Sequence, residues 1–316
     1  MLNRRLLLLS GLVAGAGLSL PVFAQEKSAQ ERPVEGKLAV VASFSILADF
    51  VRAVGGERVA LTTLVGPDGD AHVYSPSPAD AKAMAAASLV VVNGLKFEGW
   101  LTRLLKSSGT KATLATATDG ITPLKMQDDG HGHGHSHGGE DPHAWQSVAN
   151  AKVYVANIQK ALSAADPAGK ALYEANAAAY LAKLDELEAE IRAAVARIPA
   201  DRRKAITSHD AFAYFSKAYG IAFVAPQGVS TEAEASARDV GRIIRQVKAQ
   251  KVPAVFLENI SNPRLAEQIA RESGARIGGR LYSDALSGGD GPAGTYIAMM
   301  KHNISQIEKA LAAGPA

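Results

Sequence analysis

Five of the chain's eight histidines fall within 13 residues, at His131, His133, His135, His137 and His143. Glycine or serine separates the first four, and Asp141-Pro142 precedes the last. Neutral imidazole is the commonest protein ligand for zinc and its neighbours. A tract without apolar side chains has nothing to bury. The segment 127–140 is therefore expected to be a solvated loop that handles metal ions, with His131, His133, His135 and His137 as a secondary metal site. Lying mid-chain, it does not read as an expression tag.

Outside that loop stand His72, His143, His209 and His302. His72 follows the turn cluster Gly66–Asp70, His143 follows Asp141-Pro142, and His209 follows the apolar run Ala205–Thr207. Each sits where a strand gives way to a loop or helix, and open α/β sheets bind ligands at the carboxyl ends of their strands. His302 lies in a helical stretch and reads as a surface or packing residue. Asp284 is the best-placed carboxylate, in a loop before a glycine-rich turn, and Glu258 at the end of Ala254–Leu257 is second. Three imidazoles and one carboxylate suit zinc, with manganese as the alternative. Intervals of 71, 66 and 75 residues do not themselves show that these side chains converge. The chain has no cysteine, so any metal is held by nitrogen and oxygen.

The elements that must position these residues alternate. Leu38–Ser43, Val59–Val65 and Leu89–Asn93 read as buried strands, with helices at Ile46–Val54 and from Pro78 onward. Helical sequence resumes near Ser147 and pauses at Asp166-Pro167. It then runs to Ile198 on Ala, Leu, Glu, Lys and Arg, strong helix formers. A helix of that length extends about 45 Å, and Pro199 stops it. A second alternation follows, with strands at Ala205–Thr207, Ile221–Val224 and Ala254–Leu257 and helices at Ala237–Gln250 and Asn262–Ser273. The expected fold is α/β, two lobes each with a mainly parallel sheet flanked by helices, joined by one long rigid helix. Its divisions are a signal peptide over 1–24, a first lobe over 25–165, the linking helix over 166–198 and a second lobe over 199–316.

Arg4 and Arg5, the apolar run Leu6–Leu20 and the small-residue site Val22-Phe23-Ala24 read as an export signal cleaved near Ala24. Sec and twin-arginine export both remain open. Cleavage leaves 292 residues and takes the formal charge from +3 to +1, which gives no case for nucleic acid. Without a lipid-attachment cysteine, a soluble periplasmic protein is expected rather than a lipoprotein. Asp166-Pro-Ala-Gly-Lys170 lacks the earlier glycine of a phosphate loop, so the chain is not an ATPase.

Several motifs run in order along the chain. They are Gly66-Pro-Asp-Gly-Asp-Ala-His-Val-Tyr74, Asp141-Pro-His-Ala-Trp145, Ser208-His-Asp-Ala-Phe212, Thr231-Glu-Ala-Glu-Ala-Ser236, Phe256-Leu-Glu-Asn259 and Leu281-Tyr-Ser-Asp284. This ordered set, over roughly residues 38 to 310, resembles the cluster A-I metal-binding proteins of ABC importers: the periplasmic zinc-binding proteins and their manganese-binding relatives. The resemblance implies a metal site in the interlobe cleft held by His72, His143, His209 and Asp284. It also implies delivery of zinc to an ABC permease and its ATPase. A histidine at 209 resembles the zinc-binding members, since manganese-binding ones often carry glutamate there. A monomer is expected, with a periplasmic metal donor as a further partner and contact with the membrane only through the permease. Two other readings stand beside it: a manganese-specific protein of the same type, and a secreted zinc hydrolase with Glu258 or Glu232 as base. The hydrolase lacks His-Glu-x-x-His, and a fourth protein ligand closes the position that water needs.

Overall fold

Apolar runs without alternation make strands that are covered on both faces, and this chain uses them twice. A computed structural model describes residues 36–125 and 139–312. The expected export signal and the tract His131–His137 lie outside the described residues. The first sheet contains β1 (Leu38–Phe44), β2 (Val59–Val65), β3 (Leu89–Val92) and β4 (Thr113–Thr116), all parallel, in the order β2-β1-β3-β4. In the centre of this sheet, Val40 is in register with Leu61 on one side and Leu89 on the other. Helices α1 (Ser45–Gly55), α2 (Pro78–Ala86) and α3 (Leu101–Ser108) lie within this segment. Helix α2 opens on a capping box between Ser77 and Asp80, with Pro78 in its first turn.

Helix α4 (Val148–Ala165) leads through a short 3₁₀ turn at Pro167–Gly169 into α5 (Lys170–Ala196). The 27 residues of α5 span about 40 Å, slightly less than expected because Pro167 opens the 3₁₀ turn instead of the helix. Its buried residues include Tyr173, Ala177, Leu184, Leu187 and Ile191, and the helix packs against α1, α4, α6 and α9.

The second sheet repeats the first. Strands β5 (Lys204–Ile206), β6 (Ala222–Val224), β7 (Ala254–Glu258) and β8 (Arg276–Leu281) are parallel in the order β6-β5-β7-β8. Helices α6 (Ala213–Tyr219), α7 (Ala237–Gln250), α8 (Pro263–Ser273) and α9 (Tyr296–Ala312) complete this half. Side chains Ser236 and Asn262 cap α7 and α8. The fold is thus two parallel-sheet α/β lobes and a long helix. One buried core runs from the first lobe through α5 to α9, and a smaller one lies under α7 and α8. No described helix is long and apolar enough to cross a membrane.

Both sheets change direction of winding between their first and third strands, and crevices form at such points in open sheets. Buried glutamates fasten both. Glu98 accepts from Ser43 Oγ and Asn93 N, each at 2.6 Å, tying the end of β1 to that of β3. Glu258 accepts from Ser208 N at 2.6 Å and His209 N at 3.0 Å, doing the same for β5 and β7. Burial pushes the Glu98 carboxyl up, against the opposing pull of its hydrogen bonds to Ser43, Asn93 and Gly94.

Candidate metal centre

His72, His143, His209 and Asp284 meet between the lobes, their nearest donor atoms all within 4.8 Å of one another. His72 is set by the turn after β2, where Asp68 adopts φ 56° and a side chain at Gly69 would strike Val65 at 2.8 Å. Aspartate tolerates the left-handed region, and Asp70 Oδ1 then accepts the His72 backbone N–H at 2.9 Å. His143 is positioned by Asp141, which accepts from its backbone N–H at 2.9 Å and lies 2.8 Å from ring Nδ1. Asp141 thereby orients the His143 ring. His209 follows β5, and its Nδ1 lies 2.6 Å from Glu258 Oε2, an ion-pair distance reached outside hydrogen-bonding angles. Asp284 follows β8.

Three Nε2 atoms and the Asp284 carboxylate remain to face one point. His72 Nε2 and His209 Nε2 each lie 3.1 Å from Asp284 Oδ2. His143 Nε2 lies 3.3 Å from His72 Nε2 and 3.5 Å from Asp284 Oδ1. Four donors bonded tetrahedrally at about 2.0–2.1 Å stand about 3.3 Å apart; the closest pairs here lie near that value, and the whole set lies within 4.8 Å, close enough for a first-row divalent ion to draw together. Asp284 Oδ1 is buried with no hydrogen-bond partner, an oxygen that a cation would satisfy. Carboxylates behind His143 and His209 complete the carboxylate–histidine pairs that orient metal-binding imidazoles.

Electrostatics bind the cluster together. Burial opposes charge on His143, yet Asp284 and Asp141 beside it raise its pKa to about 9. Burial likewise opposes charge on His209, and Glu258 and Asp284 overcome it, holding the imidazole well above its ordinary value. Burial disfavours the Asp284 carboxylate, but His209 and His143 keep it well below the usual carboxylate range. Such a site holds protons where it would otherwise hold a cation.

Other sequence expectations settle differently. Glu258, the second-ranked carboxylate, supports His209 and does not join the donors. Glu232 and Glu234 are exposed in the loop before α7, whose cap is Ser236. Trp145 bridges the lobes, donating from Nε1 to Ser283 O at 2.9 Å. Tyr74 bonds Asp80, and Phe212 stacks on Phe223, each within its own lobe. His302 packs edge-on to Tyr282 with Nε2 3.0 Å from Arg280 O. Phe97, which the sequence did not single out, lies edge-on to His72 with centroids 4.7 Å apart.

Glu258→Gln keeps shape and burial but weakens the partner of His209 Nδ1. Metal affinity is expected to fall about 10–100-fold, measured by competition against a chelator of known affinity.

A two-lobed α/β protein with a buried three-histidine, one-carboxylate cluster between its lobes belongs to the class of metal-binding proteins. The comparisons narrow that class. Residues 40–310 match the family described as ZnuA, zinc-uptake complex component A, periplasmic, and the chain belongs to that family. It is 35% identical to the iron-binding protein YfeA of Yersinia pestis over 86% of each chain. It is 36% identical to the manganese-binding lipoprotein MntA of Halalkalibacterium halodurans, over 87% of this chain and 88% of that one. The solved periplasmic zinc-binding protein TroA of Treponema pallidum is 31% identical, with a TM-score of 0.81 over 88% of this chain and all of that one. The chain is a metal-binding component of an ABC-type importer that works outside the cytoplasm.

Proposed function

We propose that this protein captures zinc in the periplasm through His72, His143, His209 and Asp284 and delivers it to an ABC permease powered by a separate ATPase. The observation that carries the reading is the convergence of three Nε2 atoms and one carboxylate within 4.8 Å of one another, with the closest contacts at 3.1–3.5 Å. Nitrogen-rich four-donor sites suit zinc, whereas manganese favours more oxygen and higher coordination. Relatives named for iron, manganese and zinc share the family, so this donor chemistry is the argument for zinc. The second oxygen of Asp284 offers manganese a fifth donor, which keeps that ion as the alternative. The 316 residues contain no cysteine and so offer no thiol for lipid attachment, whereas one relative is named as a lipoprotein. We assign it to the soluble periplasm, and to the histidines at 131–137 a role in collecting metal.

Hydrolysis is disfavoured by the same geometry. A fourth protein donor takes the position that an activated water needs, and Glu258 is committed to His209. Donors drawn from both lobes let occupancy set the lobes' relation, which a permease can read through differential contacts.

Zinc titration across pH tests the reading. Imidazole coordinates only when neutral, and Asp284 and Asp141 favour the proton on His143. Apparent affinity is therefore expected to weaken by about tenfold or more per pH unit on acidification below neutrality. Affinity that ignores pH, or manganese bound more tightly than zinc, would count against the assignment.

A further inference from the structure

The four donors are not held alike. His143, His209 and Asp284 are 0% exposed, and His72 is 6% exposed. His143 sits in a segment fixed to the second lobe by buried bonds: Trp145 Nε1 and Gln146 Nε2 both donate to Ser283 O, and Tyr214 Oη donates to Asp141 O. The turn carrying His72 is fixed to that lobe by one backbone bond, Asp68 N to Leu286 O at 2.8 Å, and otherwise by side-chain bonds that are exposed or half-buried. Asn259 Nδ2 donates to Asp68 Oδ1 at 3.0 Å and Gly288 N to Asp68 Oδ2 at 3.1 Å, both exposed. Nearer the histidine, Thr231 Oγ1 donates to Asp70 Oδ2 at 2.6 Å in a half-buried contact. Asp70 uses its other oxygen on the His72 backbone. One carboxylate thus joins a metal donor in the first lobe to the loop before α7 in the second.

A cavity of about 800 Å³ opens on this edge, lined by His72, Tyr74, Trp100, Arg103 and, from the Thr231 loop, Glu232. The second large cavity, about 730 Å³, touches none of the four donors. Segments whose hydrogen bonds are reached by solvent open at lower free energy than those held by buried bonds. We infer that His72 is the donor that moves, that metal passes through the cavity beside it, and that the Asp70–Thr231 hydrogen bond is the clasp that sets how fast metal leaves. Thr231 is a positioning residue: it touches no metal and acts through Asp70 on His72. The inference rests on the proposed metal site.

The test uses the full chain loaded with zinc, with dissociation followed by stopped flow into excess chelator, for wild type, Thr231→Val and Thr231→Ser. Valine keeps the shape and removes the hydroxyl, and serine keeps the hydroxyl. Zinc is expected to leave Thr231→Val about tenfold faster, since a hydrogen bond to a carboxylate is lost, and Thr231→Ser is expected to restore the wild-type rate. The visible spectrum of the cobalt-substituted valine variant should match wild type, because the donors themselves are unchanged. Equal rates for wild type and Thr231→Val would overturn the clasp, as would a serine variant as fast as valine. A wild-type chain that takes up no zinc would remove the metal reading beneath it, a result distinct from either rate comparison.

Discussion

Replacing Asp284 by alanine is expected to weaken zinc binding by about 10²-fold to several thousand-fold, the cost of removing one partner from a buried ionic contact, about 3–5 kcal/mol. Asp284 is the only carboxylate in the four-donor cluster, and its two oxygens approach all three histidines at 3.1–3.5 Å. The metal would then face three imidazoles with no anionic donor. The fold should tolerate the change. Without Asp284, His143 and His209 lose a carboxylate that favours their charged form, and burial favours neutral rings. Isothermal titration with zinc reads the affinity, and far-ultraviolet circular dichroism reads the fold. An affinity within a few-fold of wild type would remove Asp284 from the site.

The second large effect is on stability. A ligand that binds only the native state stabilises it by about 4 kcal/mol at a thousand times its dissociation constant. Chains of 150–250 residues gain about 2–4 °C per kcal/mol, and this chain is longer, so a rise of roughly 8 °C in the unfolding midpoint is expected. The donors come from loops of both lobes, so the ion ties together segments that meet only in the folded chain. Calorimetry with zinc and with excess chelator measures the shift, and Asp284→Ala should show little of it. An equal rise in that variant would mean that zinc stabilises from elsewhere.

Much of the scaffold was legible because its strands are continuous apolar runs and its long helix is rich in strong helix formers. Runs such as Leu38–Ser43 and Leu89–Asn93 can only be buried from both faces, which implies a parallel sheet. Strand β4 escaped because Thr113–Thr116 is a half-exposed edge without an apolar run. Helix α6 is 7 residues long, too short to display a period. At the site, residue types were legible and convergence was not: only the ordered motifs and their family resemblance singled out His72, His143, His209 and Asp284 together. What stood furthest beyond the sequence was the supporting shell. Nothing in Phe256-Leu-Glu-Asn259 says that Glu258 faces Nδ1 of a histidine 49 residues earlier. The partnership of Asp70 with Thr231 spans 161 residues and depends on how the two lobes meet.

The most direct test is elemental analysis of the protein isolated from periplasm, beside Asp284→Ala and a deletion of residues 131–137. The account predicts about one tightly held zinc per chain, kept when the histidine tract is deleted and lost with Asp284→Ala. Manganese or iron in the wild-type protein would contradict the zinc assignment. Metal that disappears with the tract and ignores Asp284 would contradict the site itself.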